Sequence, residues 1–106
     1  MLSDSTRQAV LAFVAEREWA QFHSEENLAK SISIESAELL ECYQWGGEGD
    51  RDRVAAELAD VVTYCVLLAE KLELDLDEVV LAKLAQSATK YPVEKSKGVS
   101  TKYDAL

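Results

Sequence analysis

Glu35 and Glu38 lie three residues apart, and Glu57 and Asp60 repeat that spacing. On a helix, residues three apart project from one face, so each pair can offer two carboxylates to the same point. The spacing alone says little in this acidic chain, where 35/38, 38/41, 57/60, 70/73 and 75/78 all share it. Context separates them. The 70/73 and 75/78 pairs fall near a helix end and a cap, where solvated acids are ordinary. Glu35 and Glu38 sit among Ile32, Ile34, Ala37, Leu39 and Leu40, and Glu57 and Asp60 open the most apolar stretch of the chain. Bare carboxylates in such surroundings are costly unless a cation or hydrogen-bond donors compensate them.

Their distances from the intervening turn sharpen the point. With Gly47 as the turn, Glu38 lies nine residues before it and Glu57 ten after; Glu35 lies twelve before and Asp60 thirteen after. At ~1.5 Å per residue, antiparallel helices bring both pairs to one height, ~15 Å from the turn. Four converging carboxylates repel, and a hard divalent cation with oxygen ligands, Mg²⁺ above all and Mn²⁺ as a substitute, relieves the repulsion. A carboxylate-bridged di-iron bundle needs Glu-x-x-His on its helices, and His23 is the only histidine. The plainer reading of the same acids is a solvated helix face laced with salt bridges.

The elements that must position these groups are helical. The chain has 106 residues, 48% apolar, with one Pro and four Gly, too few turn residues for an all-β fold. That length and composition fit one folded domain. Ser3-Asp4-Ser5 can cap a first helix over about 5–20, in which Val10, Phe13, Val14 and Arg17 follow the helical period. Ser24 followed by two Glu reads as the start of a second, running from about 27 to 44. Three of the four glycines fall in Trp45-Gly46-Gly47-Glu48-Gly49-Asp50, which no helix should cross. Asp50 or Asp52 can cap a third helix over about 51–72. Its apolar stretch Leu58–Ala69 suits burial in a bundle or at a subunit interface. Asp75 with Glu78 suggests a capping box for a fourth over about 77–91, ending before Pro92. The expected architecture is an all-α, four-helix-bundle-like domain over 1–92 with a Lys-rich tail over 93–106. Phe13 and Phe22 are assigned to its core.

Charge sets further limits. The net charge is −9, but residues 1–82 carry −12 and residues 83–106 carry +3. The acid excess argues against general binding to a nucleic-acid backbone or an anionic membrane surface. No apolar run approaches the ~20 residues of a membrane span. The N-terminus lacks the basic and apolar regions of a signal peptide. Cys42 and Cys65 form no Cys-x-x-Cys. A cytoplasmic protein with reduced thiols is expected.

Glu35-x-x-Glu38 followed by Glu57-x-x-Asp60 resembles the metal signature of the MazG-type all-α nucleoside triphosphate pyrophosphohydrolases. Trp19-Ala20-Gln21-Phe22-His23, Asn27-Leu28, Glu38-Leu39, Gln44-Trp45, Glu57-Leu58-x-Asp60-Val61 and Lys90-Tyr91-Pro92 resemble, in order, the small dCTP-pyrophosphatase-like branch. The resemblance implies Mg²⁺-dependent hydrolysis of a (d)NTP, with dCTP or a related pyrimidine nucleotide favoured, to the monophosphate and pyrophosphate. It makes Glu35, Glu38, Glu57 and Asp60 the metal ligands, and it implies a role in cleansing the nucleotide pool; a water held between Mg²⁺ and one carboxylate could attack the α-phosphorus, with Glu38 taken as the catalytic base. It also implies a homodimer or homotetramer, with the tail completing a neighbour's site. Trp19 and His23 match family positions around the base. Trp45, seven residues after Glu38, and Tyr64, four after Asp60, are read as lying on the carboxylate faces of their helices, where rings can stack on a base. Tyr91 suits either a packed helix terminus or a sugar or phosphate contact. Lys83, Lys90, Lys95 and Lys97 are candidates for offsetting phosphate charge. The last helix departs from the family pattern at Ser87, where Asn is usual, and the turn between the acid pairs is shorter than in animal dCTP pyrophosphatases. Phosphoribosyl-ATP and dUTP hydrolases of the same superfamily, and a non-catalytic acidic helical interaction module, are the alternatives.

Overall fold

The computed structural model describes residues 2–106, and their secondary structure is wholly helical. The helices are α1 (Asp4–Glu16), α2 (Glu25–Glu41), α3 (Arg51–Lys71), α4 (Leu76–Lys90) and the one-turn α5 (Val93–Ser96), with 3₁₀ turns at Trp19–Phe22 and Tyr103–Ala105. The expected all-α class and its four long helices are present. The chain divides into two compact units, Met1–Leu74 and Asp75–Leu106.

The helix starts are set by their caps. Ser3 accepts from the Thr6 N–H, and Ser24 accepts from that of Asn27. Asp50 accepts from Asp52 and Arg53, and Asp75 from Asp77 and Glu78. Each oxygen satisfies N–H groups that the first turn of a helix leaves without partners. The first helix is shorter than expected. It ends at Glu16 because Glu18 adopts a left-handed conformation, φ 54°, and the chain then tightens into the 3₁₀ turn Trp19–Phe22. The Gln21 side chain donates to the Glu18 carbonyl at 2.9 Å, and Asn27 Nδ2 donates to the Phe22 carbonyl at 3.0 Å. These bonds fix the corner leading into α2. α3 ends the same way: Glu73 takes φ 56°, and the Leu74 N–H bonds the Ala69 carbonyl at 2.8 Å, a Schellman closure built without glycine.

In the N-terminal unit, α2 packs mainly against α3, and α1 packs to a smaller extent on α3 and the 3₁₀ turn. The core joins Val14 of α1, Leu28 of α2 and Leu67 of α3, with Val10, Leu11, Tyr64 and Leu68 packed around them, and α3 also buries Val66 and Ala69. Leu28 is the most enclosed, at 1% exposure. Phe13 and Phe22 are not core residues. Both are largely exposed, and Phe13 instead lies under the Arg17 guanidinium at 3.7 Å and edge-on to Trp19 at 5.7 Å. Phe22 sits in the 3₁₀ turn that follows α1, where no helix face carries it inward.

In the C-terminal unit, α4 has no buried residue, and Val79, Val80, Leu81 and Leu84 are exposed. The tail closes on its own helix end: Tyr103 meets Tyr91 edge-on at 6.0 Å, and Lys90 Nζ lies 4.8 Å from the Tyr103 ring centre. No helix among the described residues is long and apolar enough to cross a membrane.

Candidate metal and substrate site

The site is built on the α2–α3 hairpin. Ser24 and Asp50 fix where each helix begins, and the segment between them fixes how the helices slide past one another. Gly46, Gly47 and Gly49 all take positive φ, the region glycine enters without steric cost. Gly49 does more than turn. A Cβ there would lie 2.9 Å from the Cys42 carbonyl oxygen and 3.3 Å from the Tyr43 ring. The chain returning from the turn therefore rests directly on the end of α2. Beyond it, Arg53 Nη2 meets Glu41 Oε2 at 3.5 Å across the hairpin.

This registry brings the two acid pairs together. One carboxylate oxygen from each of Glu35, Glu38, Glu57 and Asp60 lies within 4.8 Å of all the others, with the first three residues half-buried and Asp60 exposed. The matched heights read from the sequence are what the structure shows. Glu35 Oε2 and Glu57 Oε2 are closed off from solvent and have no hydrogen-bond donor. With no donor supplied, a proton shared with Glu38 is the available substitute. That hydrogen bond to Glu38, then burial, then the charges of Glu38, Asp60 and Glu57 push the Glu35 carboxyl up to about 7. Glu57 is raised by burial first, then by the charge of Glu38, a hydrogen bond to it and the charge of Asp60, while the Arg53 charge opposes them. Four hard oxygen donors, two of them orphaned, fit a divalent cation better than they fit one another. The cluster can hold a metal ion.

One turn beyond Asp60, Tyr64 meets His23 edge-on, 6.4 Å between ring centres, which brings two of the expected base contacts together. His23 also lines a cavity of about 210 Å³ with Leu11, Val14, Leu28, Leu67 and Glu70. Trp19 is half-exposed in the 3₁₀ turn, against Phe13. α2 ends at Glu41, so the helical period does not reach Trp45, which is 90% exposed in the turn. Tyr91, Lys83, Lys90, Lys95 and Lys97 belong to the C-terminal unit. There Lys83 donates to Gln86 at 3.2 Å, and Lys95 and Lys97 are exposed. The Glu41–Arg53 pair and the close approach at Gly49 were not foreseen. The height argument could have found the pair, because Glu41 is three residues beyond Glu38 and Arg53 four before Glu57.

The MazG-like family profile matches residues 30–106, which takes in all four carboxylates. The bovine dCTP pyrophosphatase 1 is 35% identical over 113 residues, 97% of this chain and 67% of its own length. The human dCTP pyrophosphatase 1 is 35% identical over 97% of this chain and 66% of its own length. This chain thus spans about two thirds of the curated relatives it matches. A crystal structure of a pyrophosphatase from Archaeoglobus fulgidus superposes with a TM-score of 0.77 at 35% identity, covering 84% of this chain and 91% of that one. With its helices, its carboxylate cluster and these likenesses in agreement, the chain belongs to the MazG-like family.

Proposed function

We propose that this protein hydrolyses dCTP, or a closely related pyrimidine (d)NTP, to the monophosphate and pyrophosphate, using Mg²⁺ held by Glu35, Glu38, Glu57 and Asp60. The coarser statement, a nucleoside triphosphate pyrophosphatase of the hydrolase class, follows from its kinship with the bovine and human dCTP pyrophosphatases and the archaeal pyrophosphatase. The observation that carries the metal-dependent hydrolysis is the cluster itself: four carboxylates within 4.8 Å, two with buried oxygens that no protein donor satisfies; the pyrimidine preference rests on the likeness to the dCTP pyrophosphatases.

When bound, Mg²⁺ would polarise a phosphoryl oxygen and lower the pKa of a coordinated water. The rest falls to the chain. Glu38 is central to the cluster, sharing a hydrogen bond with both Glu35 and Glu57. In this reading it takes the proton of the attacking water. The water oxygen bonds to the α-phosphorus, the bridging P–O bond breaks, and its electron pair leaves with pyrophosphate. Tyr64 and His23, one turn past Asp60, hold the base, with Trp19 closing over it. Lys83, Lys90, Lys95, Lys97 and Tyr91 serve the phosphates or sugar. Exposed Ile34, Leu40 and Leu58 on the two site-bearing helices support assembly as a homodimer or homotetramer. The thiols of Cys42 and Cys65, unpaired in the structure, suit the cytoplasm, and the biological role would be cleansing of the nucleotide pool.

The test is purified protein against a panel of NTPs and dNTPs, with dUTP and phosphoribosyl-ATP included, with and without Mg²⁺, resolving pyrophosphate from orthophosphate. Mg²⁺-dependent pyrophosphate release, fastest with a pyrimidine deoxynucleotide, is expected. Orthophosphate as first product, or no Mg²⁺-dependent turnover of any substrate, would remove the proposal.

A further inference from the structure

The carboxylate cluster lies between two different rungs of the α2–α3 hairpin. On the side away from the turn, Tyr64 follows Asp60 by one helical turn and meets His23. On the turn side, Glu41 follows Glu38 by three residues, Arg53 precedes Glu57 by four, and the two join across the hairpin at 3.5 Å. Arg53 therefore stands ~6 Å along the helix axis from the metal-site carboxylates, half-exposed and reaching across to the opposite helix. Its charge is felt at Glu57, where it works against the acids. Three of the five other Lys and Arg side chains of the N-terminal unit are occupied elsewhere: Arg7 with Glu70 at 2.7 Å, Arg17 over the Phe13 ring, Lys30 with Glu26 at 3.4 Å.

The bond that Arg53 makes is weak. Its partner atoms are 3.5 Å apart and the side chains are 49% and 61% exposed, conditions under which an ion pair contributes little to folding. A guanidinium so held is readily released to a better anion, and a phosphoryl group, which it can meet with two parallel N–H bonds, is such an anion. We propose that Arg53 is a phosphate-binding residue of this site, which leaves Glu41 to hold the departing pyrophosphate. This gives the substrate a direction along the hairpin, with the base toward Tyr64 and His23 and the β- and γ-phosphates toward the turn. The inference rests on the proposed pyrophosphohydrolase reading. In the hydrolytic step Arg53 forms no covalent bond; it meets the negative charge that arrives on pyrophosphate as the P–O bond to the α-phosphorus breaks.

The test compares Arg53→Ala, Arg53→Lys and Glu41→Gln. Pyrophosphate binding is measured by calorimetry, and inhibition by pyrophosphate and by dCMP is measured separately in turnover. Arg53→Ala should weaken pyrophosphate binding and inhibition by about tenfold or more, as loss of a charge-assisted contact does, and leave dCMP inhibition unchanged. Arg53→Lys should fall between. Glu41→Gln, which frees the guanidinium, should leave pyrophosphate binding as strong or make it stronger. If Arg53 only braces the hairpin, Arg53→Ala and Glu41→Gln will act alike, weakening both inhibitors together. That result, or unchanged pyrophosphate binding in Arg53→Ala, overturns the proposal. A wild-type protein that turns over no nucleotide would defeat the underlying reading instead, before any variant is compared.

Discussion

The turn that positions the site can be tested at two glycines that differ in one respect. Gly46 and Gly49 both hold positive φ, 83° and 71°. Alanine at either should therefore cost about 1–2 kcal/mol for placing an L side chain in the left-handed region. A Cβ at Gly46 meets nothing within 4 Å, whereas at Gly49 it comes to 2.9 Å from the Cys42 carbonyl. A backbone oxygen at the end of α2 cannot swing aside like a side-chain tip. Gly49→Ala must push the returning chain off α2, an overpacking cost of typically 1–3 kcal/mol on top of the strain. At roughly 4–8 °C per kcal/mol for a domain of this size, Gly49→Ala should melt at least ~4 °C below Gly46→Ala. The displacement also shifts Glu57 and Asp60 against Glu35 and Glu38. Mg²⁺ binding, followed by calorimetry, should therefore weaken in Gly49→Ala and stay near wild type in Gly46→Ala. Equal melting temperatures would refute the contact argument. A destabilised Gly49→Ala with unaltered Mg²⁺ affinity would refute the claim that this turn sets the register of the cluster.

Three further outcomes follow from the site. Glu38→Gln should lose about 100-fold or more in turnover, the usual worth of a general base, while its far-ultraviolet circular dichroism stays that of the wild type. In the metal-free protein, Glu35 is raised from 4.5 to about 7, so the folded state binds more protons than the unfolded chain across that window. Its contribution to stability is present below about 4.5 and is lost as the pH rises through about 7, and Glu57 moves in the same direction. Mg²⁺ should accordingly raise the melting temperature more at pH 8 than at pH 5.5 and release protons on binding near pH 6.5, which calorimetry in buffers of different ionisation enthalpy would read. Trp45→Ala, at a 90% exposed position, should change stability by less than about 0.5 kcal/mol.

What could be read from the sequence was what local chemistry decides. Ser24, Asp50 and Asp75 announce their helices because an oxygen that caps the first N–H groups has few substitutes. The three glycines after Trp45 announce the hairpin, and once its turn is placed, the constant rise of a helix puts the four carboxylates at one height. What could not be read turns on backbone choices that residue type does not betray. Glu18 and Glu73 enter the left-handed region without being glycine, Asn or Asp, and the first of these ends α1 early. The 3₁₀ turn that follows leaves Phe22 exposed, and the end of α2 at Glu41 leaves Trp45 beyond the helical period. The Gly49 contact depends on the Cys42 carbonyl, a group every residue carries, so no side chain could have signalled it.

The central claim is that four carboxylates on two helices direct water to the α-phosphorus of a nucleoside triphosphate. The measurement that meets it most directly is a single turnover of dCTP with Mg²⁺ in ¹⁸O-labelled water, followed by mass spectrometry of both products. The account predicts one labelled oxygen in dCMP and none in pyrophosphate. Label in pyrophosphate, with dCMP unlabelled, would place the attack at the β-phosphorus and contradict it.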